Sequence, residues 1–157
     1  MPHEHLFQSV VTWTGAAKGP TKSYETYSRE FLVEVDGKAD IKGSAAVPFR
    51  GDGSLANPED LLLASVSSCH MLSYLAIAAR AGLTVIAYVD YATATMKFKD
   101  GKMRIVEATL RPVVTVASDT DLDQIQDFHR RANEECFIAN SVNFPIHHEP
   151  ETIVLGG

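Results

Sequence analysis

Three segments near the start of the chain mix β-branched and aromatic residues with polar ones, a pattern typical of half-buried strands. They cover residues 7–14, 23–35 and 38–47. Asp36 and Gly37 lie between the last two segments, and this dipeptide favours the tight turn of a β-hairpin. The pattern therefore predicts an antiparallel meander of three strands.

The longest apolar stretch follows, and it carries the end signals of a helix. No Asp, Glu, Lys or Arg occurs in residues 61–79. Asn57 is a good N-cap, Pro58 suits the first helical position, and Gly82 can supply a left-handed cap at the other end. We therefore predict a helix over residues 57–81, which at ~1.5 Å per residue is about 36 Å long.

A helix that is apolar nearly all round can cross a membrane or form the buried centre of a soluble protein. This stretch contains four serines and a histidine, and the sequence offers no second span or aromatic belt beside it. We interpret it as a core helix, not as a membrane span. Its length in so small a chain suggests a packing partner from a second subunit, and hence a homodimer.

Two further segments rich in Val, Ile, Thr and Tyr cover residues 84–98 and 103–116. Asp100 and Gly101 lie between them and again predict a hairpin turn. Pro112 has no N–H to donate to a strand ladder, which argues that the second of these strands is at a sheet edge or is bulged.

A second helix is predicted after Ser118, which is a suitable N-cap. Apolar residues recur there at spacings of three and four, which places them on one helical face. They are Leu122, Ile125, Phe128, Ala132 and Cys136. Cys136 should therefore point at the core. The tail, residues 143–154, contains two prolines and a short apolar run, and we interpret it as extended.

Composition places the chain in the class of ordinary globular proteins. It has 157 residues, of which 45% are hydrophobic, enough for one compact domain over residues 1–157. The net charge is −6, with no cluster of Lys and Arg, so nucleic-acid binding is disfavoured. The first residues, Met-Pro-His-Glu-His, lack the basic and apolar regions of a signal peptide, so we expect a cytoplasmic protein.

Two cysteines, Cys69 and Cys136, are the residues with the most chemical potential. They are too few for a disulfide framework, and in a reducing compartment they would rest as thiols. A thiolate is a nucleophile, and a second thiol within reach can convert an oxidised sulfur into a disulfide. The alternative is that both are small buried hydrophobic residues. Two-cysteine redox chemistry is therefore the hypothesis to test.

Arg50 is the candidate cation for such chemistry. It lies in a glycine-rich loop before the long helix, and a guanidinium near a thiol stabilises the thiolate and can orient an oxygen-rich substrate. Glu59 could hold Arg50 in a bidentate ion pair. Because Glu59 is about 15 Å along the helix from Cys69, it would act through Arg50. The alternatives are a solvated arginine and a first-turn carboxylate that complements the helix dipole, and Arg29 is the fallback cation.

A metal centre is the rival interpretation of the same residue types. The side chains that could act as ligands are Cys69, His70, His129, Cys136, His147 and His148. Adjacent helical residues diverge by about 100°, so Cys69 and His70 cannot converge on one ion, and no C-x-x-C or H-x-x-x-H spacing occurs. We therefore expect no metal and no other cofactor. His70 and His129 are interpreted as structural, and the His147–His148 pair as solvated.

The segment Asn57-Pro-Glu-Asp-Leu-Leu-Leu-Ala-Ser-Val-Ser-Ser-Cys69 resembles a known motif. It matches the N-P-E-x-L-x-x-A-x-x-x-x-C segment of the osmotically inducible protein C and organic hydroperoxide resistance (OsmC/Ohr) superfamily. A second cysteine 67 residues later, near the end of a second helix, matches as well. The resemblance extends to the order of elements over nearly the whole chain.

The resemblance implies an α/β (α+β) fold, with antiparallel sheets around long central helices, in an intertwined homodimer whose active sites lie at the interface. It makes Cys69 the peroxidatic thiol and Cys136 the resolving thiol, and it matches Glu59 and Arg50 to the family's glutamate and arginine. The implied activity is a thiol-dependent peroxidase. It reduces an organic hydroperoxide to the alcohol and is itself reduced by an external dithiol, without metal, flavin or haem.

This sequence also departs from the pattern of the family. The turn Thr14-Gly-Ala-Ala-Lys18 lacks the arginine that one branch carries there. Phe137 stands where many peroxidases have proline, and His70 stands where an aromatic residue is frequent. A second function class therefore stays open: a non-catalytic, stress-related dimer that binds a small ligand and has structural thiols.

Overall fold

The computed structural model describes residues 3–117 and 121–156. The chain divides into two compact units, Met1–Leu61 and Leu62–Gly157. Each is described by itself below. The single domain that the sequence suggests stays a prediction.

The first unit contains a three-stranded antiparallel sheet. Its strands are β1 (Val10–Thr12), β2 (Phe31–Glu34) and β3 (Ile41–Gly43), in the order β1-β2-β3. The predicted meander is therefore confirmed, with strands shorter than the sequence pattern indicates. The predicted hairpin between β2 and β3 is also present, and Gly37 adopts a positive φ of 73° in its turn.

The first helix, α1, covers Pro58–Arg80, as the sequence predicts. Asn57 and Asp60 cap its start reciprocally. The backbone N–H of Asp60 donates to Asn57 Oδ1 at 2.8 Å, and the N–H of Asn57 donates to Asp60 Oδ2 at 3.1 Å. Gly82 follows the helix with φ of 79°, a left-handed conformation that glycine adopts without strain.

The second unit contains two three-stranded sheets. One has the order β4-β7-β9 and the other β5-β6-β8. The strands are β4 (Val85–Asp90), β5 (Thr93–Lys99), β6 (Lys102–Leu110), β7 (Pro112–Val116), β8 (Ile146–His148) and β9 (Glu151–Val154). The β4–β7 and β5–β6 pairs are antiparallel, whereas β8 and β9 join their sheets in parallel. The extended tail is confirmed, and its parallel pairing is a feature that local sequence patterns do not reveal.

Each of the two long strands predicted here is in fact two shorter strands. The breaks fall near Tyr91 and Arg111, where Asp90 Oδ1 accepts a hydrogen bond from the backbone N–H of Arg111. A side chain thus replaces a ladder bond at the point where the chain passes from one sheet to the other. The predicted turn at Asp100–Gly101 is confirmed, with both residues at positive φ.

Pro112 corrects a further expectation. The sequence suggests an edge or a bulged strand, but β7 lies in the centre of its sheet, between β4 and β9. Pro112 is the first residue of β7 and is fully buried. Proline is tolerated at a strand's first position because the N–H it lacks falls outside the ladder.

The second helix, α2, covers Leu122–Glu135. Asp121 is its N-cap and accepts a hydrogen bond from the N–H of Asp123 at 3.0 Å, whereas the predicted cap, Ser118, lies outside the described residues. Leu122 is 57% exposed, so the buried stripe begins one turn later than predicted. Cys136 follows the helix as its C-cap, in extended backbone conformation, and is fully buried, as the spacing predicts.

The core of the second unit forms where one face of α1 meets α2 and the β4-β7-β9 sheet. Its buried members are Tyr74, Ile77, Ala78, Val114, Val116, Ile125, Phe128 and Ala132. By length and composition alone α1 could cross a membrane, although 28% of its apolar window is buried within the protein. Its buried face carries the polar residues His70 and Tyr74, which suits protein packing.

Phe128 tests this core. Its side chain is 2% exposed, and replacing a buried phenylalanine with alanine removes apolar burial and leaves a cavity. We expect Phe128→Ala to lower the free energy of unfolding by about 3–5 kcal/mol. Leu122→Ala on the exposed end of the same helix is the matched control, with a change near 0.5 kcal/mol. Urea unfolding measures both, and equal losses would contradict this description of the core.

Candidate active site

The two cysteines come together in the second unit. Cys69 lies on α1 and is partly exposed, whereas Cys136 lies just after α2 and is buried, and both are free thiols. The thiol of Cys136 interacts with that of Cys69, and this interaction raises its pKa. The backbone N–H of Ala139 donates to Cys136 Sγ at 3.3 Å. Two segments that are far apart in the sequence thus bring their thiols close together.

The surroundings of Cys136 keep it protonated. Burial and the hydrogen bond to Cys69 raise the pKa of the Cys136 thiol to about 11, although the N–H of Ala139 acts in the opposite direction. At neutral pH Cys136 is therefore a thiol. Cys69 is the sulfur that a reagent from solvent reaches first, because it is the more exposed of the two.

A groove of about 480 Å³ opens beside Cys69. Its lining residues are Cys69, Leu72, Ser73, Ala76, Arg80, Glu135 and Phe137. The five from α1 recur at helical spacings of three and four, so they form one stripe along the helix. Phe137 is 81% exposed. The groove can accept an apolar molecule whose reactive end meets the thiol.

Five of these groove residues are absent from the sequence-based set of candidates: Leu72, Ser73, Ala76, Arg80 and Glu135. Leu72 and Arg80 follow Cys69 at three and eleven residues, so their helical spacing could have revealed them. Glu135 could have been inferred only from its position next to Cys136. Within the described part of the chain, neither Arg80 nor Glu135 forms an ion pair.

Arg50 and Glu59 belong to the first unit. Arg50 is exposed and has a left-handed backbone with φ of 65°, and its guanidinium lies 5.9 Å from the centre of the Tyr24 ring. Arg50 and Glu59 are both described by the structure, and no ion pair joins them. Because the thiols belong to the second unit, the approach of Arg50 to Cys69 stays a prediction.

Arg29, the fallback cation, is engaged within its own loop. Its guanidinium donates hydrogen bonds to the carbonyl oxygens of Tyr27, at 2.7 Å, and of Tyr24. It also lies over both tyrosine rings, 3.7 Å and 4.8 Å from their centres. These contacts give Arg29 a structural role in the first unit and favour Arg50 as the more available of the two guanidinium groups.

Three histidines form a cluster in the second unit, in which His70 and His129 are buried and His148 is partly buried. His70 Nε2 and His129 Nδ1 are 3.1 Å apart and share a hydrogen bond. The ring of His148 lies 4.6 Å from that of His70, and the ring of Tyr74 stacks 4.4 Å from that of His129. His70 and His129 are thus structural, as expected.

The expected solvated pair, His147 and His148, proves to be split. The side chain of His147 is 53% exposed and faces Glu107, but the ring of His148 turns into the cluster. The expectation was wrong for His148 because consecutive residues of a strand point to opposite faces.

The residue types that could suggest a metal centre do not converge. Within residues 3–117 and 121–156, no group of three or more His, Cys, Asp or Glu side chains is arranged to hold a metal ion. His70 and His129 bond directly to each other, so these two imidazoles face one another and not a shared ion.

The fold combines α-helices with small β-sheets, and it holds one free thiol on α1 and another just after α2. Such a pair of thiols is typical of proteins that carry out cysteine redox chemistry. The family model for OsmC-like proteins matches residues 51–151, and the chain belongs to this family. Among curated proteins, none matches the chain at a significant level.

Solved structures agree with this assignment. An OsmC-like protein of unknown function from Vibrio cholerae is 34% identical, with a TM-score of 0.85 over 94% of this chain and 99% of that one. An organic hydroperoxide resistance protein from Elizabethkingia anophelis is 16% identical, with a TM-score of 0.71 over 99% and 100% of the two chains. One from Legionella pneumophila is 14% identical, with a TM-score of 0.68 over 96% and 99%. The last two comparisons show the fold alone.

The histidine cluster predicts acid sensitivity. Burial lowers the pKa of His70 to about 3 and that of His129 to about 4. The unfolded chain, with histidine pKa values near 6.5, therefore binds these protons first, so the free energy of unfolding falls as the pH drops from about 6.5 towards 4. Between pH 7.5 and pH 5 we expect a loss of about 2 kcal/mol per histidine.

Urea unfolding at the two pH values measures this loss. The double variant His70→Leu/His129→Leu should lose much less on acidification, and His147→Leu should behave as the unsubstituted protein does. If the double variant lost as much unfolding free energy on acidification as the unsubstituted protein does, groups other than these two histidines would cause the loss.

Proposed function

We propose that this protein is a cysteine-based, thiol-dependent peroxidase that reduces organic hydroperoxides to alcohols. The observation that carries the proposal is the interaction between a partly exposed thiol, Cys69, and a buried one, Cys136. The names of two structural neighbours also support the proposal, since both are organic hydroperoxide resistance proteins. We also propose that the protein acts in the cytoplasm as a homodimer.

In the first step, the Cys69 thiolate attacks the distal oxygen of the hydroperoxide. The O–O bond breaks, the leaving alkoxide takes a proton and departs as the alcohol, and Cys69 becomes a sulfenic acid. The groove beside Cys69 supports an organic substrate, because Leu72, Ala76 and Phe137 offer apolar surface to the carbon part of the molecule.

In the second step, Cys136 attacks the sulfenic sulfur. A disulfide forms, and the sulfenic oxygen leaves as water together with the proton of the Cys136 thiol. The N–H of Ala139, which already contacts Cys136 Sγ, can stabilise charge that develops on this sulfur. An external dithiol then reduces the disulfide by exchange, which regenerates both thiols and leaves the dithiol oxidised.

Arg50 would serve the first step. A guanidinium beside Cys69 stabilises the thiolate and binds the peroxide oxygens where negative charge develops. Glu59 would hold Arg50 in place. The availability of Arg50, compared with the engaged guanidinium of Arg29, supports this choice.

The alternative is a non-catalytic small-ligand-binding dimer with structural thiols. Complete burial and a raised pKa of Cys136 favour it, because an unreactive thiol has these properties. The two functions differ in one measurement, since structural thiols react slowly with cumene hydroperoxide and form no intramolecular disulfide.

Cys69→Ser tests the peroxidase proposal. We expect it to abolish consumption of cumene hydroperoxide in the presence of a dithiol, because the attacking sulfur is gone. Ser68→Ala on the adjacent, exposed position of α1 is the matched control and should keep normal turnover. Cys136→Ser should react once and then accumulate sulfenic acid, which mass spectrometry detects. Normal turnover by Cys69→Ser would exclude the proposal.

Arg50→Ala tests the predicted cation. We expect a fall of roughly 10²-fold in the rate of sulfenic acid formation, the effect typical of losing one group that stabilises developing charge. Arg29→Ala should have a much smaller effect, since this guanidinium binds its own loop. Stopped-flow oxidation of the reduced protein measures both rates, and the opposite order of effects would transfer the role to Arg29.

A further inference from the structure

Each of the two helices in the second unit brings one thiol and one imidazole to the same interface. Cys69 and His70 are consecutive on α1. Cys136 follows His129 by seven residues and lies just after Glu135, the last residue of α2. The two thiols interact, and the two imidazoles share a hydrogen bond. Two polar interactions thus connect α1 with α2 and the residue that follows it.

The imidazole contact is well placed to define the position of α2. His70 is 1% exposed and His129 is 3% exposed, and their rings are nearly parallel, with an interplanar angle of 7°. Apolar packing is not directional, whereas a hydrogen bond of 3.1 Å restricts both distance and angle. Ring contacts from Tyr74 and His148 leave the two imidazoles little room to rotate.

No other hydrogen bond orients these two side chains. Within the part of the chain that the structure describes, His70 Nδ1 and His129 Nε2 have no partner. If either histidine is replaced by an apolar residue, both ring nitrogens of the other are buried and unpaired, which favours displacement of the helix.

We propose that the His70–His129 hydrogen bond is a positioning pair that holds α2 against α1 in the register at which Cys136 meets Cys69. Neither histidine touches substrate in this role, and both act through the helices that carry the thiols. The inference deepens the proposed function, since it concerns the resolving step of that reaction. Its first test, a disulfide equilibrium, does not depend on peroxidase activity.

The positioning pair would decide the fate of oxidised Cys69. When Cys136 is in place, its sulfur attacks the sulfenic acid, and the products are the disulfide and water. When it is displaced, the sulfenic acid persists, and a second hydroperoxide oxidises it to the sulfinic acid while being reduced to the alcohol. Loss of the pair should therefore slow disulfide formation and increase overoxidation, with little effect on the first attack.

The disulfide equilibrium is measured in buffers of reduced and oxidised glutathione. One net hydrogen bond contributes about 0.5–1.5 kcal/mol, so His70→Leu and His129→Leu should each lower the equilibrium constant for the Cys69–Cys136 disulfide roughly two- to thirteenfold. His70→Gln and His129→Asn place an amide near the lost ring nitrogen and should restore most of the constant. His147→Leu is the matched control and should have no effect.

The kinetic measurement separates the two steps. In single turnover with cumene hydroperoxide, the leucine variants should form sulfenic acid at the normal rate but form disulfide more slowly, with sulfinic acid detected by mass. If the unsubstituted protein forms no sulfenic acid, the proposed function fails while the glutathione experiment still tests the positioning pair. If the leucine variants keep the normal disulfide equilibrium, the inference is overturned.

A variant that fails to fold is replaced by His70→Leu/His129→Leu, which leaves neither nitrogen unpaired. We expect this double variant to fold and still to show the lower disulfide equilibrium constant. A normal constant in the folded double variant would overturn the inference, because apolar packing alone would then be sufficient to position Cys136.

Discussion

The packing of α2 on one face of α1 is the constraint on which the chemistry of this protein depends. Tyr74 and Ile77 of α1 meet Phe128 and Ala132 of α2 in the core of the second unit. The same two faces continue into the histidine contact and the thiol contact. The residues that stabilise the fold and the residues proposed to react share one interface. The packing of the core therefore determines where the two sulfur atoms lie.

Much of the fold could be predicted because its signals are local. The caps of α1 and the two Asp-Gly turns each depend on a few consecutive residues, and the structure confirms them. The buried stripe of α2 likewise follows from helical spacing alone. The two cysteines could be selected because few other residue types provide a nucleophile, and the family motif around Cys69 then indicated their roles.

The remaining features depend on contacts between distant parts of the chain. Parallel pairing of β8 and β9 leaves no local mark, and neither does the central place of Pro112. His148 could not be separated from His147 until its strand had been assigned to a sheet. Helical geometry predicts that Arg80 lies on the same stripe of α1 as Cys69. Its place in the groove can be inferred only once Cys69 is known to line that groove.

The place of Cys136 at the end of α2 has a mechanical consequence. A disulfide needs the two α-carbons within a narrow range of separation, so one backbone has to adjust if the starting distance is unfavourable. Residues in the middle of a helix resist such adjustment, because each is held by hydrogen bonds to the turns before and after it. Cys136 instead lies just outside α2, with extended dihedral angles of φ −68° and ψ 115°. If one backbone adjusts when the disulfide forms, the segment after α2 can therefore do so without breaking a helical turn, whereas Cys69 lies within α1.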